Sequence, residues 1–209
     1  MRDERAAAMR VLSVNVAQSR VVDWRGREIT TAFFKEPVAG PVIARALGLD
    51  GDAQADPRVH GGPRKAVYAY PSEHYAYWRA ALGEIDLPPG SFGENLTVAA
   101  LDESRLRTGD VLAIGGARFA VTQPRYPCAK LAMRFGDPAM VERFLDAGRS
   151  GFYLAVLDEG AVEAGDAIAL TAAGALEPGS AHDGARPTIA AQFAAYCARL
   201  RDDSRMERA

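Results

Sequence analysis

Cysteine and histidine are scarce. The 209-residue chain has two cysteines, Cys128 and Cys197, and three histidines, His60, His74 and His182. Two cysteines make no disulfide framework, so the chain reads as one that works in a reducing, cytoplasmic setting. No cysteine or histidine pair stands at zinc-finger spacing, which argues against a structural zinc site. No apolar run approaches the ~18 residues of a membrane-spanning helix. The opening MRDERAAAMR carries charges of both signs and no apolar stretch, unlike a secretory leader, and reads as a short extension, residues 1–9. Basic excess is also missing: the net charge is −2 and the pI about 6.0, so neither nucleic acid nor a membrane is an expected partner. A P-loop and a Gly-x-Gly-x-x-Gly fingerprint are both absent, which leaves no sequence support for a bound nucleotide, nicotinamide or flavin.

What remains is a globular composition, 48% hydrophobic and 25% charged, cut into short apolar runs by 20 glycines and 12 prolines. Val11–Val16 alternates, with Leu12, Val14 and Val16 on one face, and predicts a strand. Val21–Trp24 and Arg27–Thr31 predict a hairpin closed at Arg25-Gly26. Gly48–Pro63 is irregular and rich in Gly, Asp and Pro, a pattern often tied to function. Lys65–Tyr70 and Glu94–Val98 predict strands. Between them the pattern predicts a helix over Glu73–Leu82, with Ser72 as its cap, Gly83 as its stop and His74 on its wet face.

Thr108–Ile114 and Ala164–Leu170 echo each other, each a Gly-Asp turn feeding a strand, and Gly115-Gly116 joins the first to Arg118–Thr122 as a hairpin. Helices are expected at Ala129–Phe135 and Pro138–Ala147, and strands at Gly151–Leu157 and Asp166–Thr171. About eight to ten short strands with three intervening helices favour a β-barrel or sandwich over a parallel β-α-β sheet. Residues 173–187 read as a small-residue linker. Thr188 caps a last helix whose stripe Ile189, Phe193, Tyr196, Cys197, Leu200 has helical period, with Cys197 as a small buried hydrophobe.

Three segments carry chemistry. In Thr122–Lys130, Cys128 follows two prolines and opens a helix, where free N–H groups favour a thiolate, and Arg125, Lys130 and Arg134 act in the same sense. Such a thiolate can serve as nucleophile, sulfur carrier or soft-metal ligand, or simply be a packed structural cysteine. In Asp56–Lys65, Gly61-Gly62 can let backbone approach an anion, with Arg58, Arg64 and Lys65 supplying charge; the bland alternative is a solvated basic turn. In Gly90–Thr97, Glu94 and Asn95 offer a carboxylate and an amide, although Asn95 as a turn residue bonded to its own backbone is the simpler local reading.

These segments, in this order, resemble the MOSC domain, and more narrowly bacterial stand-alone MOSC proteins. The resemblance rests on Val59-His60-Gly61-Gly62-Pro63 with Lys65–Tyr68, Glu73-His74-Tyr75 with Trp78, Phe92–Thr97, Gly109-Asp110, Thr122–Arg125 with Pro127-Cys128, and Gly165-Asp166. It covers residues 10–172. It implies a mainly β protein, a β-barrel with a few peripheral helices; the tail departs from the family, since related stand-alone proteins often end in a compact three-helix unit and here only one C-terminal helix, within 188–209, is read from the pattern. It further implies a molybdenum–pterin cofactor whose metal is held by Cys128, which would be both the metal ligand and the catalytic residue. The cofactor phosphate would be met by His60, Gly61, Gly62, Lys65, Arg125 and Lys130, and the heterocycle edge by Asn95 and Gln123. The implied activity is reduction of small N-hydroxylated compounds, with electrons from a donor protein. The alternative is a sulfur carrier holding a persulfide on Cys128, charged by a cysteine desulfurase. A weaker third reading is a Cys128-dependent hydrolase with His60 as base.

Overall fold

The computed structural model describes residues 8–54, 61–171 and 186–206. Thirteen strands and four helices are found among them. In chain order these are β1 (Arg10–Val16), β2 (Arg20–Trp24), β3 (Arg27–Thr31), β4 (Glu36–Pro37), β5 (Val42–Arg45), β6 (Gly48–Leu49), a 3-10 turn (Pro63–Lys65), β7 (Val67–Pro71), α1 (Glu73–Ala81), β8 (Leu96–Ala99), β9 (Val111–Ile114), β10 (Ala117–Pro124), α2 (Ala129–Phe135), α3 (Met140–Ala147), β11 (Phe152–Asp158), β12 (Gly160–Val162), β13 (Ile168–Thr171) and α4 (Ile189–Met206).

Eight strands form one sheet in the order β13-β9-β10-β11-β7-β8-β1-β4. All its pairings are antiparallel except β7 with β8, whose crossover carries α1. The sheet is therefore mixed. The two echoing segments lie side by side in it, β13 pairing with β9. Three backbone bonds tie the start of β1 to the chain entering β13: Val11 N to Asp166 O, Gly165 N to Val11 O and Ile168 N to Met9 O. They amount to a single bridge, Arg10 to Ala167, and no closed barrel is found among the described residues. The expected barrel is thus met only as a sheet-dominated fold, because short β13 continues along β9 and not along β1.

Local physics explains the elements. The β2–β3 turn places Arg25 and Gly26 at φ 59° and 76°, the mirror-image turn that matches strand twist. In β1 a bulge between Val11 and Ser13 shifts the pairing with β8. It moves the buried phase by one residue, so Val11 is buried and Leu12 is 40% exposed, contrary to the simple alternation. Ser72 makes no side-chain cap to α1, since its own backbone is already helical. Thr188 does cap α4, accepting the Ala191 N–H at 3.2 Å.

The core has two parts. Aliphatic side chains such as Val11, Leu96, Val98, Leu112 and Leu154 fill one side of the sheet. Aromatics fill the other, under the helices: Tyr70, Tyr75, Trp78, Phe92, Phe144 and Phe193. Cys197 belongs to this second cluster, 7% exposed. Burial raises its thiol pKa, as expected for an inert cysteine. No described helix is long and apolar enough to cross a membrane.

Candidate functional site

Neighbouring strands bring distant sequence together. Tyr153 on β11 is in register with Gln123 on β10 and with Tyr68 on β7. The Tyr68 N–H donates to Asn95 Oδ1 at 3.1 Å, and the Asn95 N–H donates back to the Tyr68 carbonyl at 2.8 Å. Tyr153, Tyr68 and Asn95 floor a cleft of about 600 Å3. Its walls are Thr31–Phe33 and Lys35 after β3, Asp52–Gln54 after β6, Lys65 and Ala66 before β7, Gly93, and Arg125, Cys128 and Lys130 between β10 and α2.

Lys65, Asn95, Arg125, Cys128 and Lys130 therefore share one cleft. Gln123 is partly buried on β10 and is not among the lining residues. Gly61 and Gly62 do not line it either. The Gly62 N–H turns to Gln54 Oε1 at 3.2 Å, so it is the Gln54 side chain that reaches the cleft. His60 lies outside the described residues, as does the 173–185 part of the expected linker.

Cys128 is the N-cap of α2, in extended conformation, half-buried, with no side-chain cap bond. The Leu131 N–H bonds its carbonyl at 2.9 Å, closing the first turn. Arg125 is the unusual group. It is 4% exposed, with its guanidinium carbon 5.2 Å from the Tyr68 ring and 5.3 Å from that of Phe33. Its Nη1 is buried and has no hydrogen-bond partner. Burial alone would pull its pKa down, but Tyr68, Tyr153 and Cys128 around it outweigh that and leave it raised. A permanently charged group with an unmet buried donor is a costly arrangement unless an anion completes it.

Asn95 does not hydrogen-bond its own backbone as the local pattern suggested. Its Nδ2 donates to the Asn15 carbonyl at 3.3 Å and to Asp52 Oδ2 at 2.9 Å. Two donors and an acceptor are thus committed within the protein. Glu94 faces away from the cleft and is fully buried. It accepts the Gly90 N–H at 2.9 Å, the Phe92 N–H at 3.0 Å, the Thr97 hydroxyl at 2.9 Å and the Tyr75 hydroxyl. This knot sets the Gly90–Gly93 loop, which has to come close to the cleft wall. A Cβ on Gly93, at φ 78°, would sit 2.8 Å from the Phe33 ring.

Sequence reasoning missed Lys35, Asp52, Phe33, Tyr68 and Tyr153. Asp52 carried a signal through its place in the irregular Gly48–Pro63 stretch, and Tyr68 through the Lys65–Tyr68 motif. His74 is also placed differently: it is mostly buried, bonded to Glu103 through Nε2 and receiving Arg149 Nη1 on Nδ1 at 3.1 Å. That group borders a second, more open hollow of about 940 Å3, which contains none of the predicted site residues.

The sequence model of one family, the MOSC domain, matches residues 56–169. The uncharacterized protein YflK of Bacillus subtilis is 42% identical over 164 residues, 78% of this chain and 74% of that one. A protein of Gibberella moniliformis named a reductase is 38% identical over 148 residues, 69% of this chain but 26% of that one. The solved structure of YiiM from Geobacillus stearothermophilus superposes with a TM-score of 0.71 at 34% identity, over 96% of this chain and 89% of that chain.

Proposed function

The chain belongs to the MOSC domain family, and on that premise we propose that it is a cytoplasmic, molybdenum-cofactor-binding oxidoreductase that reduces N-hydroxylated compounds with electrons from a partner protein. The observation that carries this reading is the buried Arg125 with its unpartnered Nη1, in the same cleft as Cys128, Lys65 and Lys130. The residues fit such a cofactor on two counts. A thiolate is a suitable soft ligand for molybdenum. A phosphate would satisfy the orphan donor and gather the cations, each charge-assisted bond contributing roughly 1.5–3 kcal/mol.

The molybdenum–pterin group supplies the two-electron redox chemistry when bound. The chain's own side chains do the rest. Cys128 would hold the metal from the start of α2. Arg125, Lys65 and Lys130 would hold the phosphate. Phe33, Tyr68 and Tyr153 wall the cleft with aromatic surface against which a flat heterocycle can pack, while Asn95 keeps Asp52 and β7 in place. Gly62 acts at a distance, through Gln54. Among the described residues Cys128 belongs to no cluster of three or more His, Cys, Asp or Glu side chains that could hold a metal. The fungal relative named a reductase supports a reductive role, although this chain spans about a quarter of it.

The test uses protein from a host that makes the cofactor. Molybdenum near one atom per chain is expected, together with conversion of benzamidoxime to benzamidine when reduced methyl viologen supplies electrons. Cys128→Ser should lose both while melting at nearly the wild-type temperature. A labile persulfide on Cys128 without molybdenum would overturn the reading in favour of the sulfur carrier.

A further inference from the structure

The cleft contains a buried charge pair that cofactor binding leaves unused. The side chains of Lys35 and Asp52 are 9% and 5% exposed, and Lys35 Nζ donates to both carboxylate oxygens, at 2.5 and 2.6 Å. The carboxylate is saturated. Its Oδ1 also accepts the Ala17 N–H at 2.8 Å, and its Oδ2 accepts Asn95 Nδ2 at 2.9 Å. The ammonium is not. It has three N–H groups, two reach Asp52, and among the described residues no third acceptor bonds it. Both residues line the cleft, with apolar Ala32 and Phe33 beside them.

An ion pair in such a place is a poor stabiliser, because desolvating both charges offsets most of their attraction. Burial holds the Lys35 pKa below the ordinary lysine value, with Asp52 and then Glu94 opposing. The other titratable groups around the cleft are Arg125, Lys65, Lys130, Tyr68, Tyr153 and Cys128. Lys35 is therefore a proton carrier held by Asp52, with one N–H left over.

The geometry points to Lys35 as the general acid of the cleft, oriented by Asp52, for substrates that lose a hydroxyl oxygen as water. This rests on the reading that the protein reduces N–O bonds. The overall change is R–NH–OH plus two electrons and two protons, giving R–NH2 and H2O. The N–O bond breaks and an N–H bond forms. The electrons come from the external donor. One proton, from the Lys35 ammonium, goes to the departing oxygen and completes water; the other goes to nitrogen from solvent. The neutral amine left on Lys35 regains its proton from water at the cleft mouth. A positioned acid of this kind typically contributes 10²–10⁴-fold.

The experiment compares wild-type protein, Lys35→Arg and Asp52→Asn. All three are prepared with cofactor and assayed on benzamidoxime with reduced methyl viologen. Molybdenum content, melting temperature and kcat against pH are read for each. Lys35→Arg keeps the ion pair and its charge but cannot release a proton. It should hold molybdenum within two-fold of wild type and melt within a few degrees, yet lose at least about 20-fold in kcat. It should also lose the fall in kcat at alkaline pH that wild type shows as Lys35 deprotonates. Asp52→Asn should move that fall to lower pH, because the counter-charge is gone. Independently of turnover, the acetylation rate of Lys35 against pH in cofactor-free protein should report a titration below the ordinary lysine value of 10.5.

Molybdenum-loaded wild type that leaves benzamidoxime intact overturns the N–O reading, and this inference with it. Active wild type beside an equally active Lys35→Arg, or one with an unchanged alkaline limb, overturns the proton-donor role alone. So does loss of molybdenum in Lys35→Arg, which would make Lys35 a cofactor-holding residue, and so does an acetylation titration at or above 10.5.

Discussion

Two buried polar regions lie on either side of the Gly90–Gly93 loop, and they are built to opposite rules. Around Glu94 every oxygen is met: two backbone N–H groups and two hydroxyls converge on one carboxylate. Around Arg125 the accounting does not close, with Nη1 buried and unpartnered and Lys35 carrying one N–H more than its acceptors use. Native interiors rarely leave such groups unmet. The saturated region serves the fold, and the unsaturated one is where a ligand has something to complete. Charge and burial alone do not separate the two, since Glu94 is fully buried and Arg125 is 4% exposed. Hydrogen-bond satisfaction does.

The sharpest way to break that contrast is to remove the centre of each region. Glu94→Ala should destabilise the fold by roughly 3–5 kcal/mol, because four donors lose one acceptor in a dry interior; urea unfolding of the purified variant reads this directly. Arg125→Met should do the reverse. Melting should stay within a few degrees of wild type or rise, since an unmet buried donor is removed, while molybdenum retention should fall by about 10- to 100-fold, the equivalent of one charge-assisted contact. Equal stability losses in the two variants would erase the distinction.

Acidity sharpens it further. Burial, outweighing its hydrogen bonds, holds the Glu94 carboxyl above its ordinary value of 4.5. The folded chain therefore keeps that proton to a higher pH than the unfolded chain. The stabilisation is complete below about 4.5 and is withdrawn as pH rises through the folded value. Unfolding free energy followed from pH 4 upward should show this downward trend in wild type and lose it in Glu94→Gln.

The smallest effect concerns the two cysteines. Cys197 sits in the aromatic cluster, its thiol pointing at the Leu145 carbonyl at 3.6 Å. Cys197→Ser should keep molybdenum and turnover and lose about 1–2 kcal/mol for a poorly paired buried hydroxyl. Metal content beside a melting curve checks both halves.

Much of the molecule was legible before its structure. The β2–β3 hairpin, α2, the stop at Gly148, the Gly-Asp turns and the cap at Thr188 depend on a few adjacent residues, and local sterics and hydrogen bonding decide such features. Cys128 at a helix start is of the same kind. Leu12 escaped because a bulge is set by the partner strand, and β4, β6 and β12 because strands of two or three residues carry too little periodicity to register.

His74 illustrates the limit. The helical pattern placed it on α1, but nothing local could show that Glu103 and Arg149, from two other parts of the chain, would enclose it. By itself, the sequence determined which residues could donate charge, thiolate and backbone freedom, because those are properties of side-chain chemistry and short-range conformation. Only the tertiary structure decided that Lys35, Asp52 and Asn95 would meet, that Glu94 would be sealed inside and that Arg125 would be left one acceptor short. Those outcomes depend on strand order and register, with β7 parallel to β8 and Tyr153 opposite Tyr68, and pairing energy between distant strands is not written in any local stretch of chain.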